Sequence, residues 1–161
     1  MFSLKQSFKT GISFGLTSGI ITTLGLMVGL HSGTNSKLAV IGGIITIAIA
    51  DALSDALGMH IAEEAKDGHN KTEIWESTIA TFAAKFIFAL TFIVPVVSLP
   101  LGIAMWTSIA WGFLAIALLS LVIARSQGIR PWEVIGEHLF ILLLVVVITH
   151  FVGDWVARVF G

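Results

Sequence analysis

The chain has 161 residues, of which 56% are hydrophobic and 12% charged, with no cysteine and a formal net charge of −1. A soluble domain carries about a quarter charged residues, so this composition, with a mean hydropathy of +0.96, cannot solvate a surface and calls for a lipid environment. It excludes a disulfide framework and thiolate metal ligands. The charge balance excludes a nucleic-acid partner, because nothing here neutralises a run of phosphates.

A bilayer core is crossed by roughly 20 apolar residues in a helix, and five segments qualify in chain order. Lys5 and Lys9 lead into an apolar stretch from Ile12 to Leu30, longer than the roughly 7–15 residues of a signal-peptide core. This predicts a retained first span over residues 7–30, ended by His31-Ser32-Gly33-Thr34-Asn35. The second span covers 37–64, and a charged connector follows over 65–72. The third covers 73–99, loosened by Pro95 and closed by Pro100, and forms a hairpin with the fourth over 101–125. The fifth covers 131–160 and opens on Pro131, whose missing amide hydrogen is unneeded in a first helical turn. The expected fold is an all-α integral membrane protein, a single domain of five transmembrane helices.

Cations in short loops set the orientation. With the N-terminus cytoplasmic, that side holds Lys5, Lys9, Lys66, Lys71, Arg125 and Arg130, against Lys37 and Arg158 opposite. The N-terminus is therefore expected inside and the C-terminus outside, with the cytoplasmic membrane of a prokaryote as the expected location. Trp75, Trp106, Trp132 and Trp155 fall near span ends, where indole rings favour the interface. Glycines in the first two spans, among them Gly11, Gly15, Gly19, Gly25 and Gly29, point to close helix packing.

Ionisable groups within spans are expensive, at roughly 2.5–3.5 kcal/mol on insertion scales, and mark function. The second span carries Asp51, Asp55, Met59 and Glu63 at successive four-residue steps, which stacks them along one slowly turning face. Asp51 lies near the middle of the span and Glu63 at its cytoplasmic mouth. Oxygen donors with a thioether suit Fe²⁺ or Mn²⁺, and a carboxylate ladder also suits proton relay. The plainer reading is that the aspartates accept hydrogen bonds from neighbouring helices. Lys85, midway along the third span, is placed at the depth of Asp51 on an antiparallel neighbour, which predicts a buried Lys–Asp pair. Glu133 and Glu137 on the fifth span could line a pathway mouth, and interfacial solvation explains them equally well. A hydroxyl strip, Ser13, Thr17, Ser18, Thr22 and Thr23, runs along the first span.

Several of these segments resemble the vacuolar iron transporter family of divalent iron and manganese transporters. Phe14-Gly15-Leu16-Thr17-Ser18-Gly19-Ile20-Ile21-Thr22-Thr23 is similar to that family's opening signature, and Ala50-Asp51-Ala52-Leu53-Ser54 to its second-helix signature. Ala80-Thr81-Phe82 with the Pro95/Pro100 pair resembles its third helix, and Thr149-His150-Phe151-Val152-Gly153 its last. The resemblance implies a five-helix homodimer whose metal pathway is lined by helices one and two, exchanging cytoplasmic metal for protons. By position, Asp51 matches the family's second-helix aspartate. Ser18 stands where the family has an acidic residue, and Asp55 and Met59 stand where it has Met and Glu. Lys85 is an addition to the core, and the family's helical metal-binding extension is reduced to the 65–72 connector.

The expected function is export of Fe²⁺ or Mn²⁺ in exchange for protons, with the metal as cargo and no resident cofactor. Asp51, Asp55, Met59 and Glu63 would be metal-facing, and Lys85, Ser18, Glu133 and Glu137 would serve proton coupling or the pathway. Two other readings are open: a transporter of the same fold that uses Lys85 for a non-metal substrate, and a membrane scaffold that transports nothing. Enzymatic activity is not expected, since no triad, metal-hydrolase spacing or nucleotide loop is present.

Overall fold

The computed structural model describes residues 6–66 and 70–161, and those residues are helical with no strand among them. Helices α1 (Gln6–Thr34), α2 (Lys37–Glu64), α3 (Lys71–Thr91), α4 (Ile93–Ser98), α5 (Leu101–Gln127) and α6 (Pro131–Phe160) follow one another. With α3 and α4 counted as one, five helices of 27–30 residues are long and apolar enough to cross a membrane. At 1.5 Å per residue these reach about 40–45 Å, the thickness of a bilayer with its headgroups. Lys5, His69 and the middle of the 65–72 connector lie outside the described residues.

Local chemistry explains the ends. The first helix runs past Leu30 to Thr34, further than the polar residues there imply, because Thr34 returns its hydroxyl to Leu30 O at 2.7 Å. It stops at Asn35, whose φ of 46° lies in the left-handed region that asparagine tolerates. Ser36 then caps α2 by accepting from Ala39 N at 3.2 Å. Asn70 and Glu73 form a reciprocal capping box at the start of α3. Gly128, at φ 69°, closes α5.

The third span is loosened near its end. Pro95 has no amide hydrogen for the carbonyl four residues back, and the chain breaks into α3 and α4 at Phe92. Trp111 covers the break by donating Nε1–H to Thr91 Oγ1 at 3.1 Å and stacking on Phe88 at 5.8 Å. Lys37, at the start of α2, donates to Val97 O and Leu99 O, both at 3.1 Å, and so meets the last carbonyls of α4.

Helix α1 is the spine, in contact with α2, α3, α5 and α6. Its first half presents Gly11, Gly15 and Gly19 to Ser77, Thr81 and Lys85 of α3, in parallel four-residue steps. Its second half presents Gly25, Gly29 and Gly33 to Val145, Thr149 and Gly153 of α6 in the same way. Small residues let backbones meet closely: a Cβ on Gly15 would lie 2.5 Å from Thr81 O and 3.0 Å from Ala84 Cβ. Leu24, Met27, Val40, Ile44, Phe92, Val96 and Ile116 fill the core between these helices.

The outer surface is apolar. Leu53, Leu57, Ile79, Val94, Val122, Phe140 and Phe151 all stand exposed, far beyond the isolated patches of a water-soluble fold. Trp75 and Trp132 are exposed at the end where α1 begins, called the near end below, and Trp106 and Trp155 at the far end.

The glycine faces predict a contrast. Gly15→Val should destabilise the fold by about 1–3 kcal/mol or more through overpacking. Gly136→Ala, whose added Cβ meets nothing within 4 Å, should be neutral or stabilising by about 0.4–1 kcal/mol. Thermal unfolding in detergent measures both.

Candidate functional site

Three helices converge on one buried cation. Gly19 of α1 lies against α3 at Lys85, where an added Cβ would come within 3.2 Å of the Lys85 Cα and carbonyl oxygen. This approach seals Lys85 to 1% exposure. Its Nζ donates to Asp55 Oδ2 at 2.5 Å and to Ser18 Oγ at 2.8 Å. It also lies 2.5 Å from Asp51 Oδ2. That last contact is an ion pair without hydrogen-bond alignment, so the buried Asp51 Oδ2 has no hydrogen bond of its own. Ser18 completes the ring by donating to Asp55 Oδ2 at 2.6 Å.

The expected pairing of Lys85 with an aspartate is therefore present, and it is double. One ammonium bridges two carboxylates one turn apart on α2, and Ser18 of α1 touches both Asp55 and the lysine. A buried ion loses several kcal/mol of hydration, which only close, well-oriented partners restore. Here each of the three ammonium hydrogens has an acceptor side chain within reach. The formal charge of the cluster is −1, from two carboxylates and one ammonium.

The ladder on α2 turns as it descends. Each four-residue step advances about 40° around a 3.6-residue helix, and exposure of the side chains falls accordingly, from 32% at Asp51 and 20% at Asp55 to 9% at Met59 and 2% at Glu63. Asp51 thus borders the outside of the bundle while Glu63 is sealed at the near end. Glu63 pairs with Lys66 at 2.6 Å. Nearby, Ser7 donates to Glu76 at 3.2 Å.

The remaining candidates lie apart from this cluster. Glu133 is exposed and pairs with Arg130 at 3.2 Å, and Glu137 is exposed on the same helix. His138 meets Ser120 at 2.7 Å between α6 and α5. His60 meets Thr78 Oγ1 at 3.0 Å. Because that hydroxyl already donates to Ile74 O at 2.7 Å, the imidazole Nδ1–H must be the donor. At the far end, His150 ties α6 to α1 through Ser32 at 2.5 Å. Among the described residues no three His, Asp or Glu side chains converge as a metal-holding group.

Sequence reasoning did not single out the orphaned hydroxyls. Thr23 Oγ1 and Ser108 Oγ are fully buried and, like Asp51 Oδ2, lack a hydrogen-bond partner. Thr23 was visible only as part of a hydroxyl strip, and Ser108 had no pattern around it at all.

No family model matches the chain, and no curated protein matches it either.

The chemistry of the cluster predicts an asymmetry between single and double substitutions. Lys85→Met strands two buried carboxylates and should cost about 3–5 kcal/mol of stability. Adding Asp55→Asn to it should recover a substantial part of the loss, since partners in one network are not additive. A double-mutant cycle read by thermal unfolding tests this, and equal stability of the single and double variants would contradict it.

Proposed function

We propose that the protein is a membrane transporter, N-terminus cytoplasmic and C-terminus outside, that exports a divalent cation, Fe²⁺ or Mn²⁺, in exchange for protons. The observation that carries this reading is the burial of Lys85 between Asp51 and Asp55 in a bundle whose outer surface is apolar. Two carboxylates and a lysine in such surroundings are an expensive way to join helices, and they form a reversible cation site. Lys85 is its resident cation, and cargo takes its place.

Charge balance supplies the coupling. A dication held by both carboxylates with Lys85 still protonated would leave the cluster at +1 in a low-dielectric setting, where an uncompensated charge is costly. Release of one proton from Nζ brings the loaded cluster to neutrality, so loading cargo expels at least one proton and unloading it takes one back. Met59 and Glu63 extend the site toward the cytoplasmic mouth, and the resemblance to the vacuolar iron transporter family supports the choice of cargo. An anionic substrate on Lys85 has less support, because the ammonium already donates to Ser18 and Asp55 and is ion-paired with Asp51.

The same reading includes a homodimer. Asp51 is one-third exposed on a face of α2 that also presents the exposed Ser54, Gly58 and Ala62. Rows of small residues favour close helix pairing in lipid, and a second copy would cover a carboxylate that hydrocarbon cannot solvate. It would also add a second pair of aspartates to a site that offers only two in one copy.

Two measurements test this. Purified protein in proteoliposomes should show Mn²⁺- or Fe²⁺-dependent proton flux, and Asp51→Asn and Asp55→Asn should each lower it at least ten-fold. Flux unchanged in both variants would sink the mechanism. Gly58→Leu, whose side chain points into open space in one copy, should shift the protein from dimer to monomer by light scattering in detergent.

A further inference from the structure

The seam between α1 and α3 is made of small residues on both sides. Gly11 and Gly15 meet Ser77 and Thr81, and the Cβ atoms of Ala80 and Ala84 lie 2.9 and 3.0 Å from where a glycine Cβ would stand. Backbones that meet this closely through such short side chains leave the outer side of the seam unfilled. What remains is an apolar furrow of about 360 Å³. Phe8, Ile12 and Leu16 line it from α1, and Ile79 and Ile87 stand exposed along its α3 rim. Ala80, Ala83 and Ala84 keep the α3 side smooth between them. Its far end is formed by Phe88 and Thr91, both fixed by Trp111 of α5.

Size and direction select the occupant. From Ile79 to Thr91 the furrow follows α3 for about 18 Å, at 1.5 Å per residue. One leaflet of a bilayer is about 15 Å deep, half of a core of roughly 30 Å. The furrow has room for about a dozen groups of roughly 30 Å³, the size of a water or a methylene. A single hydrocarbon chain matches both figures. An α-helix, about 10–12 Å across with its side chains, would rest on Ile79 and Ile87 without entering.

The near end supplies a charge. Lys9 follows Phe8 on α1, is exposed, and has no ion-pair partner among the described residues. Side chains on a helix tilt toward its N-terminus, which for α1 is the near end, so the Lys9 stem runs toward headgroup depth. The acids at the start of α3 are engaged, Glu76 by Ser7 and Glu73 by the cap at Asn70. Trp75, exposed one turn before Ile79, marks the interface on the α3 side.

We propose that this furrow binds one anionic phospholipid of the near-end leaflet, with an acyl chain along the alanines and the phosphate against Lys9. Lipid tails are as apolar as the furrow, so the chain by itself does not discriminate between lipids. The headgroup contact does. The site needs only the membrane-spanning bundle and is independent of any cargo. Ala80 and Ala84 belong to the furrow and to the glycine seam alike, so a seated chain braces the same seam that seals Lys85 at Gly19.

The test places the full chain in nanodiscs of phosphatidylcholine and phosphatidylglycerol, read by native mass spectrometry and a high-resolution structure. Wild-type protein should retain phosphatidylglycerol in preference to phosphatidylcholine, with chain density beside Ala80 and Ala84. Lys9→Ala should lower that retention about five-fold, the effect of one cation near an anionic surface, and Lys9→Arg should restore it. Ala83→Leu, which fills the furrow, should remove the chain density. Equal retention of both lipids by the wild type, or wild-type retention in Lys9→Ala, would overturn the proposal. Density for a helix of another chain in place of a lipid tail would overturn it in favour of a protein partner.

Discussion

A lysine removed from water in the middle of an apolar bundle sets the terms for everything around it. The Lys85 ammonium forfeits its hydration, and the structure returns it through two carboxylates and a hydroxyl drawn from α1 and α2. Each partner must come within hydrogen-bonding distance, and a shift of one ångström would leave a bare charge in a low-dielectric interior. Close helix packing is thus a requirement of the site itself. Gly19 is where the two needs meet, because any side chain there would push away the α3 backbone that carries Lys85.

The two glycine faces of α1 distribute that closeness unevenly along the molecule. The near half of the spine is packed against α3 and the far half against α6, so each half is anchored to a different neighbour. Helix α2, which carries both aspartates, has no such glycine contact with α1. Its Gly43 meets the flexible ends of Leu26 and Leu30. At its far end α2 is joined to α4 through Lys37, beyond the break at Phe92. The carboxylates and the lysine therefore sit on elements held by different means.

The ladder on α2 shows how one periodicity serves packing and chemistry together. A four-residue repeat cannot stay on a single face of a 3.6-residue helix, so the acidic row begins at the edge of the bundle with Asp51 and ends inside it with Glu63. The two aspartates reach Lys85 from the point where the row is half sealed. Asp51 is left open on the small-residue face of α2, which ties the site to whatever covers that face.

Five apolar segments, their order and their breaks at Asn35, Pro95, Pro100 and Pro131 were legible in the sequence, because chain length, hydropathy and turn residues act locally. The pairing of Lys85 with an aspartate was legible too, since two charges at the same depth of antiparallel neighbours have little choice of partner. Other features depend on how helices rotate and cross, and no local pattern encodes them: that Lys85 bridges both aspartates, that Ser18 closes the ring, that α1 divides its glycines between α3 and α6, and that Glu133 and Glu137 stand away from the cluster. The loosening expected from Pro95 falls at Phe92, and that Trp111 covers it by reaching Thr91 and Phe88 is again a matter of how helices meet. The sequence by itself determined which segments had to leave water and that Lys85 and the aspartates lay within them. Tertiary structure alone decided which of them would meet, because contact across a bundle is set by the distance between backbones, and here that distance is set by glycines that carry no chemistry of their own.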